Sequence, residues 1–174
     1  FADEIIVVDT GSTDRTMQIA RSNGAKVVTS EWRGDFSYSR NISLDHATCA
    51  WILWLDADDV VTEEAAKSLN RLKKEIEEPV AAFGIKVKNI QPGGLGEEFL
   101  QVRLFPNDRR LRFEKKVHEQ IAPALVKLGY EIIYLSEIEI HHTGYQDAEI
   151  KRHKALRNRE ILAADMLNFP NDPN

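Results

Sequence analysis

A single cysteine, Cys49, is present among 174 residues, so no disulfide framework is available to this chain. It lies in an apolar stretch and reads as a core residue rather than a nucleophile. Basic residues are outnumbered, 23 Lys and Arg against 28 Asp and Glu, for a net charge of -5. That balance argues against a nucleic-acid partner, because phosphate contacts need a basic surface. No apolar run reaches membrane length and no signal peptide is visible. The chain therefore reads as cytoplasmic, with contact at the inner face of a membrane left open. Internal repeats, low-complexity tracts and dividing linkers are absent as well. What remains is an ordinary globular composition, 43% apolar and 29% charged, at a length suited to one domain with a real core. The sequence opens almost directly into strand-like DEIIVVD without Met, and it stops at the turn signal LNFPNDPN. It reads as a piece of something longer.

The stretch IIVVDTGSTD, from Ile5 to Asp14, has two readings. Apolar residues ending in Asp-Thr-Gly-Ser present the carboxylate of an aspartic protease. The same letters describe a buried strand that delivers an Asp to a nucleotide and turns into a helix. The following residues decide between them. Ile5 to Val8 reads as a strand buried on both faces. GSTDRTMQIARSNGAK reads as a helix, capped by Ser12 or Thr13, favoured by Asp14 and ended by Gly24. KVVTSEW is a short strand. DFSYSRNISLDHAT is helical, with Phe36, Ile42 and Ala47 inward. WILWL is a second strand buried on both faces, and Glu63 to Glu77 is an amphipathic helix through Ala66, Leu69, Leu72 and Ile76. The order β-α-β-α-β-α predicts a mostly parallel, helix-covered sheet, and excludes the all-strand protease. Beyond Pro79, VAAFGIKVKNI and EEFLQVRLF read as strands around the hairpin signal QPGGLG. RFEKKVHEQIAPALVKLG is mixed, YEIIYLSEIEIHHTGY gives one or two further strands, and a long helix runs from Asp147 to Asn168 through Ile150, Leu156, Ile161, Ala164 and Leu167. The division is one domain over 1–174, with parts at 1–79, 80–146 and 147–174.

The strongest chemical signal is WILWLDADD. Open parallel sheets bind ligands at the carboxyl ends of their strands. Asp56 and Asp58, two apart in an extended stretch, point the same way. Two such carboxylates suit Mg²⁺ or Mn²⁺ shared with a substrate phosphate. An EF-hand is excluded, because its sixth and twelfth positions here are Val61 and Lys67. A haloacid-dehalogenase-like phosphohydrolase fits DADDV, but its later acidic pair is missing: Asp108, Asp147, Asp165 and Asp172 are isolated. It stays as a second reading.

DEIIVVDTGSTDRT, FSYSRN, WILWLDADD, RLF with VHEQI, and HHTGY occur in one order. That order resembles family 2 glycosyltransferases of the GT-A fold, in the bacterial branch of lipopolysaccharide-core glucosyltransferases and tetratricopeptide-linked enzymes. KRHKALRNREILAADMLNFPNDPN resembles the lead-in to those repeats. The resemblance covers nearly the whole chain. Members normally carry one more strand and helix ahead of the first seen here, supplying part of the nucleobase pocket. The implied fold is α/β and GT-A-like: a mostly parallel central sheet, helices on both faces, and a small antiparallel part in the second half. The implied activity is metal-dependent, inverting transfer from a nucleotide-sugar, a UDP-sugar by preference, to a lipid-linked, polysaccharide or protein acceptor. A non-catalytic nucleotide-sugar-binding domain is the further alternative.

The resemblance also implies roles. Asp58 ligates the metal, and Asp56 contacts ribose, or metal through water. Asp59 stands second to them, with a helix-terminal charge as its rival reading. Asp9 meets the nucleobase, against an Asp that merely closes a turn. Arg40 pairs with phosphate or base, against a solvated helix Arg. Glu119 is the general base, with His118 the alternative or an aid to the acceptor. His142 is a further metal ligand or diphosphate contact, while His141 faces away. Arg103, Lys151 and Lys154 could line the diphosphate, although lone basic residues are usually solvated. Trp51 and Trp54 read as core. Trp32 is the one tryptophan considered near a ligand.

Overall fold

β-branched residues set the first strand. In the computed structural model, which describes residues 1–76, 78–91, 94–144 and 148–168, Ile6–Asp9 forms β1. It pairs in parallel with β2, Lys26–Thr29, in the register Ile6↔Lys26 to Asp9↔Thr29. Helix α1, Thr16–Ser22, connects the two. Its cap is not Ser12 or Thr13. Asp14 Oδ1 accepts from Thr16 N at 2.9 Å, while Ser12 N donates to Asp9 Oδ1 at 3.0 Å and serves the loop instead. Gly24, at φ +81°, lets the chain leave the helix.

Helix α2, Phe36–His46, is capped by Asp35, whose Oδ1 accepts from Tyr38 N at 2.9 Å. Ser37 and Leu44 are its buried side chains, rather than Phe36, Ile42 and Ala47. Strand β3 is Trp51–Leu53 and β4 is Asp59–Val61. Helix α3, Glu63–Glu75, is capped by Thr62 and buries Ala65 and Leu69. Strands β5, Ala81–Gln91, and β6, Gly94–Pro106, form the expected hairpin; its turn at 92–93 lies outside the described residues. Helix α4 is Ala122–Lys127, β7 is Glu131–His142 and α5 is Ala148–Asn168. Glu77, Tyr145, Asp147 and residues 169–174 lie outside the described residues, as do the side chains of Ile150 and Leu167.

The larger sheet has the order β3-β6-β5-β7-β4. Parallel pairing occurs at β1–β2 and β5–β7, whereas β3–β6, β5–β6 and β4–β7 are antiparallel. The α/β class holds, with a larger antiparallel share than the βαβ pattern suggested. The cause is long range: β6 and β7 return across the sheet and take β3 and β4 as partners. Two strands expected to be buried on both faces are only half-buried. β1 pairs only with β2 and β3 only with β6 among the described residues, so each is an edge strand. Ile5 is 48% exposed. The doubly covered strand is β5, where Ala82 and Ile85 are fully buried. Cys49 is half-buried, not deep in a core.

Two apolar clusters hold the layers. Leu44, Trp54, Phe105, Leu111, Phe113, Ile121 and Leu125 join α2, β6, α4 and the segment between β6 and α4. Ala65 and Leu69 of α3 pack on Ile85, Ile138 and Ile140 of the sheet. Each fully buried large side chain contributes about 1.5–3 kcal/mol. Together the clusters fix the ends of β3 and β7, where the acidic residues gather.

Candidate active site

After Leu53 the chain turns rather than running extended. Asp59 N donates to Asp56 O at 3.0 Å, and Asp56 N donates back to Asp59 Oδ2 at 2.8 Å. This turn, not strand alternation, brings three aspartates together. The β4–β7 register then sets Asp59 opposite His142. Asp56, Asp58, Asp59 and His142 each offer one ligand atom, and those atoms lie within 4.8 Å of one another. Carboxylate oxygens with one imidazole suit Mn²⁺ or Mg²⁺.

The four are not equally available. Asp59 has no exposed side-chain surface. Its Oδ2 accepts from Arg103 Nη1 at 2.8 Å, and its Oδ1 meets His142 Nδ1 at 2.8 Å. It is neither a solvated terminal charge nor an open ligand; it organises its neighbours. Burial works against its charge, yet the His142 hydrogen bond and the Arg103 charge hold its carboxyl below the ordinary range. The same hydrogen bond raises His142, against its partial burial, and Asp58 adds to the effect. Asp56 and Asp58 are each 31% exposed and keep faces open to a ligand. The backbone carbonyl of Asp58 is fixed by Thr143, which donates its N–H and its hydroxyl at 2.8 Å each.

Arg40 does not reach into solvent. Its Nη2 donates to Asp56 Oδ1 and its Nε to Glu119 Oε1, both at 2.7 Å. One guanidinium thereby joins the acidic turn to the residue expected as general base. Burial disfavours the Arg40 charge, but Asp56 and Glu119 outweigh it and raise its pKa above the ordinary value. Arg103, read as a candidate for the diphosphate site with a solvated side chain as the rival, is 2% exposed. Burial lowers its pKa, with Asp59 and Asp56 working the other way. Both guanidiniums lie over the Trp54 indole, with Arg40 Cζ 4.1 Å and Arg103 Cζ 3.7 Å from the ring centroid. Its Nε1 donates to Val102 O at 2.7 Å. Trp54 is therefore core, as read, and also the platform on which both arginines rest.

Spacing explains the rest of FSYSRN. Ser37, Arg40 and Asn41 stand at i, i+3 and i+4 and share one face of α2. All three grip the segment that leads to Glu119. Ser37 Oγ donates to Lys115 O. Asn41 Nδ2 donates to Phe113 O at 3.0 Å, and Asn41 Oδ1 accepts from Phe113 N at 2.8 Å. Phe36 N adds a bond to Lys116 O at 3.0 Å. The gripped loop is strained, with Lys115 at φ +73° and His118 at +57°. Such positions cost about 1–3 kcal/mol each and persist where the surroundings impose them. His118 is exposed.

Asp9 is 5% exposed and closes the β1–α1 loop, its Oδ1 accepting from Gly11 N at 3.1 Å and Ser12 N at 3.0 Å. The Ser12 side chain and these amides, against burial, hold its carboxyl below the ordinary range. It lies outside the Asp56–His142 cluster. Trp32 packs edge-on against Phe36, with ring centroids 4.9 Å apart. Lys151 is exposed, while Lys154 of α5 reaches Asp58 Oδ2 at 2.6 Å. His141 lies in register with Val60 and Lys88, on the strand face opposite His142.

A Cβ on Gly144 would run into the Asp58 carboxylate and the Lys154 ammonium. Gly144→Ala should leave the fold in place and displace Asp58. The expected readout is a roughly tenfold loss of Mn²⁺ affinity by calorimetry.

Residues 1–128 match the profile of Glycosyl transferase family 2, and the chain belongs to that family. This removes the phosphohydrolase alternative. A TPR repeat-containing protein of Synechococcus elongatus is 36% identical over 98% of this chain and 43% of its own length. The SPbeta prophage-derived glycosyltransferase SunS of Bacillus subtilis is 26% identical over 98% of this chain and 40% of its own. The chain thus spans about two-fifths of those relatives. S. aureus TarS 1–349, solved in complex with UDP-GlcNAc, superposes with a TM-score of 0.60 at 19% identity, over 85% of this chain and 51% of TarS. That likeness is one of fold, the GT-A type. No helix among the described residues is long and apolar enough to cross a membrane.

Proposed function

We propose that the chain is the catalytic domain of a metal-dependent, inverting glycosyltransferase that uses a UDP-sugar. The observation that carries this is the Arg40 bridge. Asp56 on the donor side and Glu119 on the acceptor side share one guanidinium at 2.7 Å each. Base and leaving group are then held in one small volume, which is what single displacement at an anomeric carbon requires.

Asp58 and His142 would hold Mn²⁺ or Mg²⁺, with Asp56 reaching the cation through water or reaching the ribose. The cation supplies charge stabilisation for the departing diphosphate. Glu119 accepts the proton of the acceptor hydroxyl, and Arg40 keeps its carboxylate turned toward the donor. Asp59 and Arg103 hold the acidic turn rigid. Asp9 sits at the carboxyl end of β1, where its remaining oxygen suits the nucleobase. The TarS complex with UDP-GlcNAc supports the choice of uridine. Parts 1–79, 80–146 and 147–174 would serve donor, acceptor and the closing helix. The relative with TPR repeats suggests repeats beyond α5 in the whole protein. The acceptor is a sugar, lipid-linked or protein hydroxyl.

Calorimetric titration of UDP tests this reading. Binding should require Mn²⁺, vanish with EDTA, and fall at least tenfold in Asp58→Ala. UDP binding of equal strength in EDTA would remove the metal from the scheme.

A further inference from the structure

The acidic site is already close to electrically neutral. Among the described residues, Asp56, Asp58, Asp59 and Glu119 are met by Arg40, Arg103 and Lys154, with His142 between Asp58 and Asp59. A divalent cation arriving here meets resident positive charge at every carboxylate. Asp58 can give Oδ2 to it only if the cation now on that oxygen withdraws.

The three resident cations differ in how firmly they are held. Arg103 is 3% exposed at its side chain, bonded to Asp59 and stacked on Trp54 at 3.7 Å. Arg40 is 17% exposed, bonded to two carboxylates and stacked on the same indole. Their planar guanidiniums fit fixed positions. Lys154 is 28% exposed and presents a compact ammonium on a flexible stem. Its Nζ lies 2.6 Å from Asp58 Oδ2, on the acid assigned to the metal. The chain keeps room for this contact, since a Cβ at Gly144 would strike both partners.

The helix that carries Lys154 is held further along its length. Arg157 Cζ lies 4.8 Å from the Phe36 ring, Ile161 Cγ1 is 3.9 Å from the Cβ position of Gly34, and Lys116 Nζ donates to Asp165 Oδ1 at 2.5 Å. With α5 anchored, an exchange at Asp58 needs only the lysine side chain to swing.

We infer that Lys154 is a stored diphosphate-binding residue. It stands on Asp58 as a substitute cation, yields that carboxylate to the divalent metal, and turns its charge onto the diphosphate oxygens of the incoming nucleotide. The negative diphosphate compensates both cations, so metal and nucleotide bind together better than either binds alone. This rests on the metal-dependent reading above and adds a residue and an order of events to it.

Mn²⁺ binding, read by the loss of the free-ion paramagnetic signal, tests the exchange without any turnover. In wild type, Mn²⁺ alone should bind weakly, and UDP should strengthen it. Lys154→Met should bind Mn²⁺ alone about tenfold more tightly, and UDP at saturating Mn²⁺ about tenfold more weakly. Lys154→Arg keeps a charge on Asp58 and should not show the gain for Mn²⁺. Unchanged or weaker Mn²⁺ binding in Lys154→Met, with wild type binding Mn²⁺ normally, overturns the exchange and spares the metal reading. A gain for Mn²⁺ with unchanged UDP affinity overturns the transfer to diphosphate. Wild type that binds no Mn²⁺ with or without UDP overturns the metal reading and the exchange together.

Discussion

Glu119→Gln should lower sugar transfer by about 10²–10⁴-fold while leaving UDP affinity in Mn²⁺ unchanged. The amide keeps the shape of the side chain, and its oxygen can still accept from Arg40 Nε, as Glu119 Oε1 does at 2.7 Å. The Arg40–Asp56 contact on the donor side is untouched. What disappears is the capacity to take a proton. A mutant with kcat near wild type would place the base elsewhere, and His118 would be examined next by the same pair of measurements. Equal loss of transfer and of nucleotide binding would mean that Glu119 shapes the donor site rather than accepting a proton. Retained UDP binding with no transfer in either protein would return the domain to a binding role.

The second large effect concerns stability. Asp59→Ala should cost about 3–5 kcal/mol, because it strands a buried guanidinium. Arg103 is 3% exposed at its side chain, and Asp59 is its 2.8 Å partner. The change also removes the acceptors of Asp56 N and His142 Nδ1. For a chain of this size, thermal unfolding should fall by roughly 10 °C. Asp59→Leu combined with Arg103→Met should recover much of that loss, because no charge is then left unpaired. A drop under about 1 kcal/mol in Asp59→Ala would show that water reaches the pair.

Several features of this site were legible in residue order. Aspartates directly after the strand WILWL marked a ligand-binding end, and DFSYSRNISLDHAT marked the helix that carries Arg40. Local rules suffice for such features, since strand alternation and helical periodicity act over a few residues. The burial of Arg103 was not legible because its environment comes from afar. The β3–β6 register sets Leu53 against Leu104, and Trp54 N then donates to Arg103 O at 3.0 Å. Nothing near Arg103 in the chain announces that pairing. Asp59 was undervalued for the same reason, as its partners Arg103 and His142 arrive on β6 and β7. The signal that could have raised both was the placement of RLF, a charge between apolar strand residues.

Sequence alone determined the α/β class, most of the succession of elements and the acidic run after WILWL, because these follow from short-range pattern and from chain order; the turn within that run, β4 and α4 came from the structure. The tertiary structure decided which acids stay open and which are spent. Asp59 is closed because β6 and β7 bury it, while Asp56 and Asp58 keep 31% of their side-chain surface. It also decided that Arg40 joins two carboxylates 79 and 16 residues away, and that Lys154 meets Asp58 across 96. Charges pair through space, and their partners are chosen by the packing of the core.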